Sequence, residues 1–307
     1  MKMYRSLIAA GLIASGAAVA QTTDDPNNAV NGVNTSPRGS VGAVIGSFPV
    51  DPAFSNLPVG LENDGSGNLD LTEIGGMIPN AGVIDTTGAA VTGPTGLSDT
   101  GNAIGITRIG GNLAITDTTT AEVDYYDPSY TFVSSFSVAG ETTFPEGITT
   151  APFSGNLYVV DGAGGNVVIE YDPSGTLVTT FPINGSSPDG IAFDPIRCTF
   201  WIYDSGTDTV RSYDSTFTEI ETFPGTAAAG GGGGEGLGVI GNRLYVMDPA
   251  NSQVFEFDIS AATPAPNAGS LCLPDGSQPV PSLNRMGIVL LTLMMLGVAF
   301  VVRSRFN

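Results

Sequence analysis

The sequence has 307 residues and is strongly acidic, with 30 Asp and Glu, 10 Lys and Arg, and no histidine. All the acidic residues lie between positions 21 and 283, together with only five arginines, so this part carries a net charge of −25. Such a surface repels nucleic acid and anionic lipid and attracts cations or basic partners. The lack of histidine excludes Ser-His-Asp and Cys-His catalysis.

Residues 1–20 have the three parts of a secretory signal peptide. Lys2 and Arg5 precede a short apolar stretch, and the small-residue sequence AVA ends at Ala20, directly before Gln21. The pattern predicts export and cleavage between Ala20 and Gln21 by signal peptidase, with an uncleaved N-terminal anchor as the alternative.

After a polar segment, residues 21–39, which we predict to be a disordered arm, residues 40–260 contain a repeat of about 44 residues. In each unit a short strand ends in an acidic residue, and the successive spacings are 44, 44, 43 and 44. In the last four units a second strand ends in an aromatic residue followed by Asp. The first set consists of Glu73, Asp117, Asp161, Asp204 and Asp248, and the second of Asp127, Asp172, Asp214 and Asp258.

Each unit has the pattern of four short strands, and five such units predict an all-β fold, a β-propeller of about five four-stranded blades. The segment Ser40–Val50 has the pattern of an outer strand without a blade, whereas the last unit lacks an outer strand. We therefore predict that the N-terminal segment completes the last blade and closes the ring, which removes exposed sheet edges.

Two units carry a resemblance to known repeats. The stretches FPEGITTAPFSGNLYVVDGAGGNVVIEYD and PDGIAFDPIRCTFWIYDSGTDTVRSYD resemble NHL-type propeller repeats, which also occur in the group that includes the SMP-30/gluconolactonase enzymes. The resemblance covers roughly residues 55–260. It implies a propeller, usually of six blades, and in the gluconolactonase-like enzymes an acidic cluster in the channel holds a metal.

The stretch ENDGSGNLDLTE has the oxygen-ligand spacing of a calcium-binding loop and resembles an EF-hand loop. Ligand positions 1, 3, 5, 9 and 12 fall on Glu62, Asp64, Ser66, Asp70 and Glu73. The flanks are not helical, and the repeat predicts a hairpin turn at the same place. An ordinary blade turn is therefore the alternative to calcium binding.

Three further carboxylates, Glu146, Asp189 and Glu235, each stand directly before the glycine that opens an innermost strand. The first two blades have Val59 and Ile104 there. In a closed ring these carboxylates converge at one mouth of the channel, where they bind a cation such as Ca²⁺ or raise one another's pKa. Turn chemistry is the alternative. The Asp that recurs in every blade is interpreted as structural, accepting backbone N–H groups in the following turn.

The two cysteines, Cys198 and Cys272, predict a disulfide in an exported protein, with two unpaired thiols as the alternative. Residues 261–279 are rich in Pro and Ala and predict a linker that leaves the ring.

Residues 280–307 have the layout of a C-terminal sorting signal. An apolar run of 17 residues, 286–302, is just long enough for a transmembrane helix, and arginines follow it. The preceding motif resembles the IPTL-CTERM signal of Gram-negative bacteria, which an exosortase-type transpeptidase recognises. Its matching residues are Val280, Pro281, Ser282, Leu283 and Gly287. A permanent membrane anchor is the alternative.

Taken together, these features favour an exported, surface-sorted, non-enzymatic propeller with a binding or extracellular-matrix role toward an unidentified ligand or protein. A metal-dependent hydrolase or lactonase of the gluconolactonase-like group is the alternative. A complete set of metal ligands in the channel would distinguish the enzyme from the binding protein.

Overall fold

The structure, a computed structural model, describes residues 40–54 and 56–272. Over these residues the chain forms five antiparallel four-stranded sheets, so the predicted five-blade propeller is confirmed. Strand β1 (Ala43–Pro49) precedes the first complete blade. Blade one contains β2 (Pro58–Asn63), β3 (Leu69–Glu73), β4 (Asn80–Ile84) and β5 (Ala90–Gly96); blade two contains β6 (Ala103–Ile109), β7 (Asn112–Asp117), β8 (Glu122–Tyr126) and β9 (Phe132–Ser137).

The remaining three blades follow the same order along the chain. Blade three contains β10 (Pro145–Ala151), β11 (Asn156–Asp161), β12 (Val167–Tyr171) and β13 (Leu177–Pro182); blade four contains β14 (Pro188–Asp194), β15 (Thr199–Asp204), β16 (Thr209–Tyr213) and β17 (Glu219–Pro224). Blade five contains β18 (Leu237–Ile240), β19 (Arg243–Asp248) and β20 (Gln253–Asp258), and the two short helices are a 3₁₀ turn (Ala227–Ala229) and α1 (Ala268–Leu271).

Strand β1 closes the ring as the sequence predicts. It pairs antiparallel with β20, from Ala43 opposite Asp258 to Pro49 opposite Gln253. The fifth sheet therefore has the order β1-β20-β19-β18, with one strand from the N-terminal side of the described chain and three from the C-terminal side. This pairing covers the edge of β20, which would otherwise present unpaired backbone groups to other chains.

Apolar side chains fill the spaces between neighbouring blades. Between blades three and four, Phe200 packs against Tyr158 and Phe217, with ring centroids 4.7 Å apart in both pairs. Between blades four and five, Trp201 and Phe257 both pack against Phe223. Because each fully buried side chain of this size contributes roughly 1.5–3 kcal/mol, these inter-blade layers are the main source of stability.

A ring of glycines brings the five innermost strands into backbone contact. A Cβ atom placed on Gly147 of β10 would lie 2.7 Å from the carbonyl oxygen of Asp189 on β14. On Gly190 it would lie 2.0 Å from the carbonyl oxygen of Glu235. The equivalent glycines of the other blades have the same kind of contact: Gly60 with Ile104, Gly105 with Glu146, and Gly236 with Leu61. A side chain at any of these positions would push adjacent blades apart, so the narrow ring depends on glycine.

The Asp that ends the second strand of each later blade has the structural role expected. Asp204 is fully buried, and its carboxylate accepts the backbone N–H groups of Ser186, Ser187 and Thr207. Asp117 is held in the same way by three backbone N–H groups. One carboxylate thus ties the loop entering each blade to the turn after its second strand.

The segment after β20 differs from the predicted linker. Residues 259–272 do not leave the ring but run across the neighbouring blade, where Ala265 is buried and donates its N–H to the carbonyl of Arg197. Cys272 forms a disulfide with Cys198, at a Cα–Cα distance of 5.5 Å. Richness in proline and alanine is typical of a linker, but the small side chains of alanine also allow close packing against a blade.

Several sequence predictions concern residues outside the described part of the chain. These are the signal peptide (1–20), the arm (21–39), the rest of the linker (273–279) and the sorting signal (280–307), including the apolar run 286–302. Within residues 40–54 and 56–272, no helix is long and apolar enough to cross a membrane.

Candidate metal centre

Three carboxyl groups meet at one mouth of the central channel. Glu146, Asp189 and Glu235 lie at the start of the innermost strands of blades three, four and five, each one residue before a glycine of the ring. One carboxylate oxygen from each residue can be selected so that the three oxygens all lie within 4.8 Å of one another. The structure thus brings together the three residues that the sequence analysis singled out here; whether they bind a metal stays a prediction.

The other part of the mouth is apolar. In blades one and two, Val59 and Ile104 occupy the positions of the carboxyl residues, and Val59 is buried. The mouth is therefore divided into an acidic side, formed by three successive blades, and an apolar side, formed by two.

Burial makes these carboxyl groups hard to ionise, and charge within the cluster adds to this effect for Glu146 and Glu235. Glu146 and Asp189 are only 8% and 6% exposed. Burial is the first cause that raises the pKa of Glu146, and a hydrogen bond with Asp189 and its charge raise it further. Burial also raises the pKa of Asp189, although hydrogen bonds from Glu146 and Ser205 oppose the effect. We conclude that without a cation this pair shares a proton at neutral pH.

The pKa of Glu235 is also raised. Burial, followed by the charge of Asp189, raises its pKa to about 8. A cation placed among the three groups would favour their ionised forms, so its binding would release protons.

One oxygen of the cluster has no partner when the three carboxyl groups are all ionised. Oε2 of Glu146 is buried and receives no hydrogen bond from the described residues. A buried polar atom without a partner is unfavourable, typically by about 1–3 kcal/mol. A cation at the mouth would satisfy this oxygen, which makes the cluster suited to a ligand rather than to packing alone.

The donor set restricts the kind of cation. Three carboxylates and no nitrogen or sulfur donors suit hard cations such as Ca²⁺, Mg²⁺ or Mn²⁺. Because these ions take six or more oxygen ligands, three monodentate carboxylates would leave positions for water or for oxygen atoms of an external ligand. Chemically, the same pair could also act as a general acid and base, since one carboxyl is held protonated beside an ionised one.

The proposed calcium loop at residues 62–73 is arranged differently. Asp64 accepts hydrogen bonds from Ser66 and Asn68 and so caps a hairpin turn. Asp70 is paired with Arg108 at 2.6 Å, and Glu73 lies at the far end of β3, opposite Pro58. Glu62 lies opposite Asp70, but Asp70 already has Arg108 as its partner and Glu73 lies apart, so the five ligands are not gathered as in a calcium loop; calcium binding here stays a prediction. In a strand, neighbouring side chains alternate between faces, so the ligand spacing of a coiled loop does not converge here.

The calcium-loop interpretation did not predict where the side chain of Glu62 lies. Its Oε2 accepts a hydrogen bond of 2.8 Å from Oγ1 of Thr149, which belongs to blade three, whereas Glu62 belongs to blade one. These blades are not neighbours, so the bond must cross the central channel. Glu62 and Thr149 both stand two residues after a ring glycine. Because they occupy equivalent positions of the repeat, an alignment of the repeats could have predicted that both lie at the same level of the channel.

The channel is narrowed at the glycine ring and crossed by a hydrogen bond beyond it. The glycine ring brings the innermost strands together, and the Glu62–Thr149 bond spans the channel beyond it. Burial raises the pKa of Glu62 to about 8, against hydrogen bonds from Thr149 and the N–H of Asn63. A ligand of the carboxylate mouth must therefore enter and leave on the same side.

Comparisons with known proteins identify the fold. No protein-family model and no curated protein matches the sequence. Among solved structures, the chain is similar to glutaminyl cyclase of Myxococcus xanthus, at 16% identity and a TM-score of 0.55 over 70% of this chain and 94% of that one. It is also similar to a chain of the nidogen/laminin complex, at 21% identity and a TM-score of 0.51 over 68% of this chain and 78% of that one.

A third similarity, to virginiamycin B lyase of Staphylococcus aureus, has 18% identity and a TM-score of 0.44 over 66% of each chain. At such identities the similarities concern fold and not activity. The neighbours include a protein from a binding complex and a protein named as an enzyme, and what they share with this chain is the β-propeller fold.

Proposed function

We propose that this protein is an exported, surface-sorted β-propeller that binds a hard divalent cation, with Ca²⁺ as the first candidate, and acts in binding or in the extracellular matrix rather than in catalysis. The observation that carries the cation site is the buried, unpartnered Oε2 of Glu146 in a cluster whose oxygens lie within 4.8 Å.

Several features support a binding role over hydrolysis. The ligand set is confined to one side of the mouth, and Val59 and Ile104 supply no donor on the other side. The chain contains no histidine that could serve as a general base near neutral pH. The metal-dependent hydrolase remains the alternative, because a carboxyl pair that shares a proton is also suited to proton transfer.

Thermal unfolding in a cation titration tests the site. A ligand that binds only the folded state at 100 times its dissociation constant stabilises it by about 2.7 kcal/mol, which is roughly 5–11 °C for a domain of this size. We expect this shift for Ca²⁺ with the wild type and its loss in Glu146→Gln and Asp189→Asn. The matched control is Asp214→Asn, because Asp214 caps a turn through Thr216 and Thr218, away from the mouth.

The outcomes separate the alternatives. If Ca²⁺, Mg²⁺ and Mn²⁺ leave the melting temperature of the wild type unchanged, the cation proposal is wrong. Equal shifts of the melting temperature in the wild type and in Glu146→Gln would show that the cation binds elsewhere in the protein. Hydrolysis of lactones by the cation-loaded protein, lost in both mouth variants, would establish the enzymatic alternative.

The C-terminal sequence supports the sorting part of the proposal. Pro281 restricts Val280 to extended backbone, which an enzyme that cleaves the chain can bind. We expect signal peptidase to act after Ala20 and an exosortase-type enzyme to remove the residues after about Leu283. Mass spectrometry of the protein from the envelope of its Gram-negative host tests this. A steady-state product that retains Asn307 would favour a permanent anchor.

A further inference from the structure

The route of the chain out of the propeller determines which face a C-terminal attachment leaves free. All innermost strands begin at the face of the carboxylate mouth, since Glu146 and Asp189 are the second residues of β10 and β14 and Glu235 stands two residues before β18. The turn between β14 and β15, which contains Arg197 and Cys198, therefore lies at the opposite face. We call the two faces the mouth face and the turn face.

The segment after β20 forms backbone hydrogen bonds with turns of blades five and four that lie at the turn face. Ile259 donates its N–H to the carbonyl of Asn242, in the turn between β18 and β19. Ala265 donates to the carbonyl of Arg197 at 2.9 Å. Thr263 donates to the carboxylate of Glu221 on β17, the outer strand of blade four. The segment thus crosses from blade five to blade four without reaching the mouth face.

The disulfide fixes the point of departure. Cys198 is fully buried in the turn between β14 and β15, and it holds Cys272, the last described residue. Only seven residues, 273–279, separate this bond from the first residue of the sorting motif. Even fully extended they span at most about 25 Å, so the sorting motif begins within that distance of the disulfide at the turn face.

We propose that the propeller is held with its turn face toward the surface that anchors its C-terminus, so that the carboxylate mouth faces the medium and takes its ligand from solution. This rests on the proposed C-terminal attachment, and it holds equally for a sorted product and for a permanent anchor. A dissolved cation, and any oxygen-bearing ligand that completes its coordination, then approaches the mouth from the medium.

Exposed apolar side chains lie on the mouth face as well as on the turn face. Leu57 and Phe144 stand in the loops that enter blades one and three, and both are at least 40% exposed. Met77, in the turn between β3 and β4, is fully exposed, and Ile78 beside it is 51% exposed. Apolar side chains around an acidic mouth suit a ligand that combines polar groups with apolar surface.

Energy transfer to a membrane surface tests the orientation. The protein from Gln21 to Leu283, extended by a polyhistidine tag, is captured on vesicles that contain nickel-chelating lipid and a fluorescent acceptor lipid. A donor dye is attached either at Met77→Cys on the mouth face or at Leu177→Cys, where β13 begins at the turn face. Leu177 is 44% exposed, so both labels replace exposed apolar side chains. Vesicles without nickel-chelating lipid give the background.

We expect transfer from the label at position 177 to be at least about twofold greater than from position 77, because blade strands of five to seven residues separate the faces by roughly 20 Å. Equal transfer, or greater transfer from position 77, would overturn the proposal. The measurement needs neither a cation nor processing by the host, so a failure of the cation site would appear in the melting experiment and not here.

Discussion

Replacing one glycine of the ring tests the contact between innermost strands most directly. In Gly147→Ala, the new Cβ would lie 2.7 Å from the carbonyl oxygen of Asp189 and 2.7 Å from the nitrogen of Ile191. Carbon atoms almost never approach backbone atoms this closely, and both partners belong to β14, which cannot rotate away as a side chain could. Blades three and four must therefore separate.

The expected loss of stability follows from that displacement. Overpacking a well-packed interior costs about 1–3 kcal/mol, and we expect the upper end because the clashing atoms are backbone. For a domain of this size that lowers the melting temperature by roughly 4–12 °C. Because Asp189 is moved, we also expect weaker stabilisation by Ca²⁺ than in the wild type.

Gly140→Ala is the matched control, since a Cβ at Gly140 would meet nothing within 4 Å and its φ lies outside the left-handed region. That substitution should be neutral or stabilise by up to about 1 kcal/mol through the unfolded chain. Circular dichroism during heating measures both. If Gly147→Ala melted within a degree of Gly140→Ala, the strands would not be in the contact that we describe.

Three further predictions concern the closure, the channel and the C-terminal segment. Deleting residues 40–50 removes β1 and exposes the edge of β20, so we expect a lower melting temperature and increased light scattering; unchanged values would contradict closure by β1. The pKa of Glu62 is raised from 4.5 to about 8, so its favourable contribution to stability is present below pH 4.5 and is lost as pH rises through 8. Relative to wild type, the free energy of unfolding of Glu62→Gln in denaturant titrations should therefore gain up to about 5 kcal/mol between these pH values, and a constant difference would refute this. The double variant Cys198→Ser/Cys272→Ser removes a disulfide between residues 74 positions apart in the sequence, so its free energy of unfolding should fall by about 2–5 kcal/mol. An equal unfolding midpoint for oxidised wild type and variant would show that the bond is not formed.

The fold could be predicted because the repeat gives both the period and the phase of the strands. The acidic residues from Glu73 to Asp248 mark the end of one strand in each blade, and in the structure β3, β7, β11, β15 and β19 end at those residues. Strand β1 was predictable from the strand count, since an unpaired first strand and an incomplete last blade match each other.

Contacts across the ring were not predictable from the repeat alone. The spacing at Glu62 fits a calcium loop, but the hydrogen bond to Thr149 depends on two non-adjacent blades meeting over a narrow channel. Similarly, the composition of residues 261–272 suggests a linker, whereas their attachment depends on where the turn of blade four lies in space. Local sequence carries no information on either distance.

The residues that precede the five ring glycines can be compared with one another, and the comparison bears on function. Val59 and Ile104 show that an apolar residue before the ring glycine is compatible with the blade and with closure. Glu146, Asp189 and Glu235 have the same place in the fold, yet burial raises the pKa of all three, and charge within the cluster raises the pKa of Glu146 and Glu235 further. Raised carboxyl pKa values oppose folding at neutral pH. Asp189 accepts the backbone N–H of Ser205, but the carboxyl groups of Glu146 and Glu235 are not explained by the architecture. A cation that neutralises them and satisfies Oε2 of Glu146 would turn this unfavourable cluster into a stabilising one, and for this reason the mouth is the part of the molecule where we expect a ligand.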